Sequence, residues 1–179
     1  MTRAGQIIEN PVTGERLVFR TAGAPTAVDV FRADVFARPY GPVAAAHIHS
    51  VQEEKLTIVS GRVRVRIGRD EQSLAAHQTV SIPAGARHMW WNDGDSDAQL
   101  TLELRPGRGA ETLFDALFAL ARERKTDEHG TPGALDLAIL ADEHGYYRAG
   151  VPIRIQRAIL PPLAVVARAL GRGSAAASR

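Results

Sequence analysis

Two histidines, His47 and His49, stand two positions apart in a chain that contains six, and glutamates follow at positions 53 and 54. Residues i and i+2 of a β-strand point to the same side, so both imidazoles can converge on one ion. A carboxylate and a further imidazole would complete a shell typical of a divalent transition metal. Glu53 and Glu54 point in opposite directions on a strand, and the pattern of residues alone leaves open which of them is the ligand.

The stretch "SIPAGARHMWWN", residues 81 to 92, supplies the distant fourth donor. A Pro-Ala-Gly turn ends one strand, and His88 begins the next with Trp90 and Asn92 on its own face. A shell of imidazoles and one carboxylate suits Fe, Mn, Ni, Co or Zn, and the identity of the metal stays open. The chain has no cysteine, which excludes thiolate ligands and disulfides.

The spacing of these residues resembles two sequence motifs of the cupins. The first motif, in which glycines flank the His-x-His pair and the glutamate, is matched by Gly41, His47, His49, Glu54 and Gly61. The second motif is matched by Pro83, Gly85, His88 and Asn92, although His77 occupies a position that is normally glycine. We interpret His77 as a turn residue, because histidine is among the residues enriched at positive φ.

The resemblance implies an all-β double-stranded β-helix, a jelly-roll barrel with its metal ligands facing inward. It selects Glu54 over Glu53, so the implied metal ligands are His47, His49, Glu54 and His88. The stretch "NPVTGERLVF" and the residues after the barrel also look like a bacterial group of single-domain, RmlC-like cupins with a C-terminal helical extension.

Hydrophobic periodicity predicts the strands that must position these residues. In "GRVRVRIG" the residues Val63, Val65 and Ile67 alternate with arginines at 62, 64 and 66, as expected of a half-buried strand. "AQLTLELRP" shows the same alternation, and "NPVTGE" at 10 to 15 predicts a turn between two early strands. We therefore expect the barrel to occupy residues 1–106.

The period changes to that of helices after the barrel. "ETLFDALFALARERK" is amphipathic at helical spacing, and Thr131 is predicted to cap a second helix with Pro132 in its first turn. A third helix, interrupted by Pro161 and Pro162, is expected within 152–170. We expect residues 107–170 to pack on the barrel or on a partner subunit, which favours a homodimer, and residues 171–179 to be disordered.

Charge and hydropathy indicate which classes of partner this protein is not expected to bind. Lys and Arg exceed Asp and Glu by only 22 to 20, without a basic run, so no nucleic-acid partner is expected. The first twenty residues hold no apolar stretch of signal-peptide length, and "AILPPLAVVARAL" is too short to span a bilayer. We expect a cytoplasmic protein whose partner is a small molecule and not a membrane.

The residues and the resemblance together favour a metal-dependent dioxygenase or isomerase acting on a small molecule. Glu54 is the candidate catalytic proton acceptor, and Tyr40, Trp90 and Asn92 are the candidate substrate-pocket residues. Core filling is an equally good interpretation of Trp90. The alternative function is a non-catalytic module that binds a small molecule or metal for sensing or storage. A metal-free sugar-nucleotide epimerase is disfavoured, because all three motif histidines are assigned to the metal.

Overall fold

The computed structural model describes residues 4–20, 29–39, 45–107 and 109–173. Within these residues, one sheet has the antiparallel strand order β1-β2-β3-β10-β5-β8, whose strands are Ile7–Glu9, Arg16–Phe19, Phe31–Ala37, Ala98–Arg105, Glu53–Ser60 and Thr79–Ile82. The other has the order β11-β4-β9-β6-β7, whose strands are Tyr146–Arg148, His47–His49, His88–Asn92, Arg62–Ile67 and Asp70–Ala75. Tyr40, Gly41 and residues 174–179 lie outside the described residues.

The two sheets pack face to face around one apolar core, because each strand directs alternate side chains inward. In β6, Val63 and Val65 are fully buried while Arg64 and Arg66 face outward and pair with Glu71 of β7. In β10 the buried face is formed by Leu100, Leu102 and Leu104. The predicted double-stranded β-helix with a C-terminal helical part is confirmed.

Two tight turns show why particular residue types occur in the motifs. Gly61 joins β5 to β6 with a φ of 79°, and a Cβ there would lie 2.8 Å from Ala98 Cα, so only glycine fits. His77, between β7 and β8, has a φ of 70°. Its interpretation as a turn residue in the left-handed region is confirmed.

Helix α1, Ala110–Arg122, lies over the barrel and closes one side of its core. Ala110 and Phe118 belong to the same apolar cluster as the barrel strands, and Phe114 and Leu117 pack against that cluster. The predicted amphipathic helix therefore occurs with its apolar face on the barrel, as the periodicity indicated.

Helices α2, Ala134–His144, and α3, Ile153–Ala169, differ from expectation at their prolines and caps. Thr131 does not cap α2, because Gly133 holds that position and the Thr131 hydroxyl oxygen makes no hydrogen bond. Pro161 and Pro162 lie inside α3 without ending it. Both are exposed, so the carbonyls that lose a helical partner can be hydrated.

The segment after α2 contributes a strand to the barrel. β11 pairs with β4, which places Tyr146 opposite His49. This strand was not predicted, because three residues carry no periodic signal of their own. The region after residue 106 is therefore not purely helical, and it completes the sheet that holds three of the predicted ligands, His47, His49 and His88.

The exposed face of α3 is the part of the surface that is relevant to the expected homodimer. α3 and its C-cap residue expose several large apolar side chains, namely Ile155, Ile159, Val165, Val166 and Leu170. The homodimer stays a prediction, as does the cytoplasmic location. Among the helices of the described ranges, none is both long enough and apolar enough to cross a membrane.

Candidate metal centre

Strands β4, β5 and β9 bring the four predicted ligands to one point inside the barrel. His47 lies opposite His88 in the β4–β9 pair, and His49 follows two residues along β4 on the same side. Glu54 comes from β5 in the other sheet. Each residue offers one ligand atom, these atoms lie within 4.8 Å of one another, and all four residues are buried.

Glu54 makes the closest polar contacts of the cluster. Its Oε2 lies 3.1 Å from His88 Nε2 and 3.4 Å from His49 Nε2. The ring centroids of His47 and His88 are 4.4 Å apart. Glu53 is exposed at the start of β5, so the structure brings Glu54, and not Glu53, to the histidines.

Hydrogen bonds at Nδ1 determine which ring nitrogen of His47 and of His88 faces the cluster. His47 Nδ1 lies 3.0 Å from the carbonyl of Ala45, and His88 Nδ1 lies 3.0 Å from that of Ala86. Because a carbonyl only accepts, both Nδ1 atoms carry the proton, and both Nε2 lone pairs of the neutral rings are available to an ion. The backbone thus orients these two rings in the way that metal-binding histidines usually require.

Two atoms of the cluster lack a protein partner. Glu54 Oε1 and His49 Nδ1 are buried without a hydrogen bond. Buried polar atoms in native proteins nearly always have a partner, and a carboxylate oxygen without one is a candidate ligand for a cation. The donor set of one carboxylate and three imidazoles fits a divalent transition metal.

Burial and charge move the pKa values in this cluster in different directions. Burial raises the pKa of Glu54, but the charges and hydrogen bonds of His88 and His49 outweigh it and hold the pKa well below its usual value. Burial lowers the pKa of His88, and the Glu54 carboxylate raises it overall. Burial, followed by the charges of His88 and His49, holds the pKa of His47 well below 6.5. His47 is therefore a neutral imidazole, which is the form that binds metals.

The cluster opens onto a cavity of about 50 Å³ between the barrel and α1. Three residues of the cluster line it together with Glu15 and Tyr146, and α1 contributes an apolar wall of Leu113, Phe114, Leu117 and Phe118. The cluster residues that reach the cavity are His47, His49 and Glu54. One water needs roughly 10–15 Å³ of such a cavity, so the space holds a few waters or a ligand of similar size.

The barrel matches the profile of a known protein family. The family profile described as "Cupin domain" matches residues 35–104, which include all four clustered residues. Residues 35–104 therefore form a cupin domain. An RmlC-like cupin from Shewanella frigidimarina shares the fold with a TM-score of 0.50 and 14% identity, covering 62% of this chain and 94% of that one.

Two further matches are to a solved structure and to a curated protein. A predicted oxalate decarboxylase from Thermotoga maritima has a TM-score of 0.49 and 16% identity, covering 58% of this cupin and 96% of that chain. The curated protein "Polyketide synthase CurC" of Streptomyces cyaneus is 33% identical over 66 residues. That match covers 37% of this cupin and 43% of the relative, so the cupin spans less than half the length of this curated protein.

The predicted pocket residues have different positions in the cupin. Trp90 is buried in the barrel core and also lines the cavity, so core filling and ligand contact are both compatible with its place. Asn92 does not line the cavity. Its amide nitrogen donates to the carbonyls of Ala37 and Ser96, and its oxygen accepts from the Gly94 N–H, so it stabilises the turn after β9.

Two cavity residues were missed by reasoning from the sequence. Glu15 precedes β2 on the same face as the buried Leu17 and Phe19, so alternation could have placed it inside the barrel. Tyr146 stacks on His47 with ring centroids 5.1 Å apart and an interplanar angle of 28°. No local signal identifies Tyr146, because its position depends on the pairing of β11 with β4.

Proposed function

We propose that this cupin is an enzyme that holds one divalent transition-metal ion through His47, His49, Glu54 and His88 and acts on a small molecule in the adjoining cavity. The observation that carries the proposal is the convergence of four buried ligand atoms within 4.8 Å, three of whose residues line a cavity with an apolar wall. The reaction classes that fit are dioxygenation and isomerisation.

The charge of the cluster supports a divalent ion. Imidazoles bind metals in their neutral form, so the one carboxylate and three imidazoles would carry a net charge of −1 as ligands, which a divalent cation would offset in this buried site. Glu54 Oε1 has no protein partner, and an ion held by these donors would serve as that partner. A bound metal would supply Lewis acidity and open positions for oxygen atoms of a substrate or for dioxygen.

The chain itself prepares the cavity for a ligand with an apolar body and a polar end. The α1 side chains exclude water from one wall, which strengthens electrostatic interactions at the cluster. The ring of Tyr146 packs on His47 and restrains it. The name of the partial relative, a polyketide synthase, supports a ligand bearing ketone, enol or phenol oxygens, which are groups that polyketides carry.

The small volume of the cavity supports a second candidate function. A space of about 50 Å³ suits a module that binds a metal or a very small ligand for sensing or storage. Oxygen uptake separates the candidates when ketone, enol and phenol compounds are screened against the metal-loaded protein. Stoichiometric O₂ consumption indicates a dioxygenase, turnover without it indicates an isomerase, and binding without turnover indicates the module.

Elemental analysis of protein purified without a histidine tag tests the metal site. We expect about one metal ion per chain, and its loss in His49→Ala and in His88→Ala. His129→Ala is the matched control, because His129 is exposed in the loop after α1 and should retain the metal. Wild-type protein that takes up no metal, even after anaerobic reconstitution, would contradict the proposal.

The proton-accepting role of Glu54 remains a prediction with its own test. Glu54→Gln that retains both the metal and full turnover would exclude it. A carboxylate whose pKa is held well below its usual value is a weak base, which makes Glu54 better suited to binding a cation than to accepting a proton.

A further inference from the structure

The cavity contains a second carboxyl group, Glu15, that the proposed ligand set does not use. Glu15 ends the turn at residues 10–15, and its backbone carbonyl accepts from the Asn10 N–H at 2.9 Å. The residue is buried, and its side chain lines the same cavity as His47 and Glu54. A buried carboxyl group next to a candidate metal cluster requires an explanation, because burial of a charge is costly.

The turn holds this carboxyl group in a fixed position. Thr13 Oγ1 donates to Glu15 Oε2 at 2.8 Å. Asn10 Oδ1 in turn accepts from the backbone N–H groups of Val12 and Thr13, at 3.0 and 3.3 Å. Glu15 is thus held by a short hydrogen-bonded network, and an acid or base must be positioned in this way before it can exchange a proton with a bound ligand.

The surroundings of Glu15 offer no positive charge from lysine or arginine. Among the described residues that line the cavity, the titratable groups facing Glu15 are His47, His49, Glu54 and Tyr146, and the α1 wall is apolar. Burial raises the pKa of Glu15 to about 7, the Thr13 hydrogen bond lowers it, and the charge of Glu54 raises it. A bound cation would lower this pKa and so favour the carboxylate, which is the form that accepts a proton.

We propose that Glu15 is the proton acceptor of this site and takes the acidic proton of a small oxygen acid bound beside the cluster. The O–H bond of the ligand breaks, its electron pair stays on the ligand oxygen, and a new O–H bond forms on the Glu15 carboxylate. No oxidant or reductant is needed. This inference rests on the proposed function, because the cluster must bind the ligand that gives up the proton.

A purely structural role accounts less well for the residue. A glutamine at position 15 could accept the same hydrogen bond from Thr13 without a charge to bury. The carboxyl group adds only one property to the turn, which is the ability to ionise inside the cavity. That property is useful where a ligand arrives with a proton to lose.

The test uses acetohydroxamic acid, a small oxygen acid that chelates metals as its anion, and zinc-loaded protein labelled with ¹³C at the glutamate side-chain carboxyl. Glu15→Gln identifies the Glu15 resonance. Glu9→Gln is the matched control, because Glu9 lies on the same hairpin but is exposed. At about pH 8, where the carboxylate predominates, we expect the probe to shift the Glu15 resonance to its protonated position.

The variants add a second measurement, namely the protons released on binding. We expect wild type and Glu9→Gln to release almost none, because Glu15 retains the proton. Glu15→Gln should release about one proton per probe and bind it about tenfold more weakly, which is the scale of a lost charge-assisted hydrogen bond. Failure of the probe to bind, or binding while Glu15 remains a carboxylate, overturns the inference.

Zinc content, measured in the same samples, separates this inference from the proposed function. Wild type, Glu9→Gln and Glu15→Gln should each hold about one zinc ion per chain, and His88→Ala should hold none. If that pattern is observed but Glu15 does not take the proton, the metal site stands and only the role of Glu15 fails. If the wild type holds neither zinc nor another divalent transition metal after reconstitution, the proposed function fails.

Discussion

Glu54 and Glu15 line the same cavity, and their pKa values move in opposite directions. Burial raises the pKa of both carboxyl groups. Glu54 is surrounded by His88 and His49, whose charges and hydrogen bonds reverse the effect, whereas Glu15 has only the Thr13 hydroxyl and the repulsion of Glu54. Burial acts on both carboxyl groups in the same direction, so their different neighbours account for the opposite directions of the two pKa shifts.

This difference divides two tasks between the two carboxyl groups of the cavity. A permanently charged carboxylate beside imidazoles is suited to binding a cation, and a carboxyl group that titrates near neutrality is suited to exchanging protons. The four predictions below test that division, from the largest expected effect to the smallest.

Glu54→Gln removes the negative charge of the proposed metal cluster while retaining the shape of the side chain. We expect the affinity for zinc to fall by more than about 100-fold, because loss of a ligand should cost more than the roughly 10–100-fold of an outer-shell change. Competition with a chromogenic chelator measures the affinity. The neighbouring, exposed Glu53 provides the control Glu53→Gln, and equal affinities in the two variants would remove Glu54 from the ligand set.

Glu15→Gln changes how the stability of the metal-free protein depends on pH. The pKa of Glu15 is raised from 4.5 to about 7 in the folded state, so its stabilising contribution is present below 4.5 and is lost as the pH rises to about 7. At roughly 1.4 kcal/mol per pKa unit, the wild type should lose about 3 kcal/mol relative to the variant across this window.

Urea unfolding of chelator-treated protein at both ends of the window measures this difference. Other titrating groups are common to the two proteins and cancel in the comparison. Glu9→Gln, on the exposed face of the same hairpin, should follow the wild type. If Glu15→Gln and the wild type show the same pH dependence, Glu15 has an ordinary pKa and the contrast with Glu54 disappears.

Thr13→Val sharpens the comparison by removing the hydrogen bond that favours the charged form of Glu15. The Thr13 bond lowers the pKa of Glu15, so its loss should raise the pKa above about 7, by on the order of one further unit. A ¹³C titration of the glutamate carboxyl groups measures the change. Thr112→Val, which removes an exposed hydroxyl from α1, should leave the Glu15 titration unaltered.

Tyr146 should have the smallest effect, because it touches a ligand residue without supplying a ligand. Tyr146→Phe retains the ring that stacks on His47 and should change zinc affinity by less than about threefold. Tyr146→Leu removes the stacking, worth roughly 0.5–1.5 kcal/mol, and should weaken zinc binding by about two- to tenfold. Identical affinities in both variants would show that the ring does not restrain His47.

The proposed metal ligands could be predicted because their sequence signal is local. His47 and His49 share a strand face by their spacing, and the motif around His88 repeats that logic on another strand. The alternation in "GRVRVRIG" and "AQLTLELRP" likewise matched β6 and β10. Asn92 shows the limit of this reasoning, because its side chain bonds to the adjacent turn and does not reach the cavity.

The sequence by itself determined the residue types, their period along each strand and therefore the inward face of the barrel, because a strand alternates sides whatever lies around it. Only the tertiary structure decided that Glu15 and Tyr146 meet the histidine cluster, because their positions depend on contacts between segments far apart in the chain. It also decided the opposite pKa shifts of Glu54 and Glu15, since a pKa depends on the charges and solvent that folding places around the group.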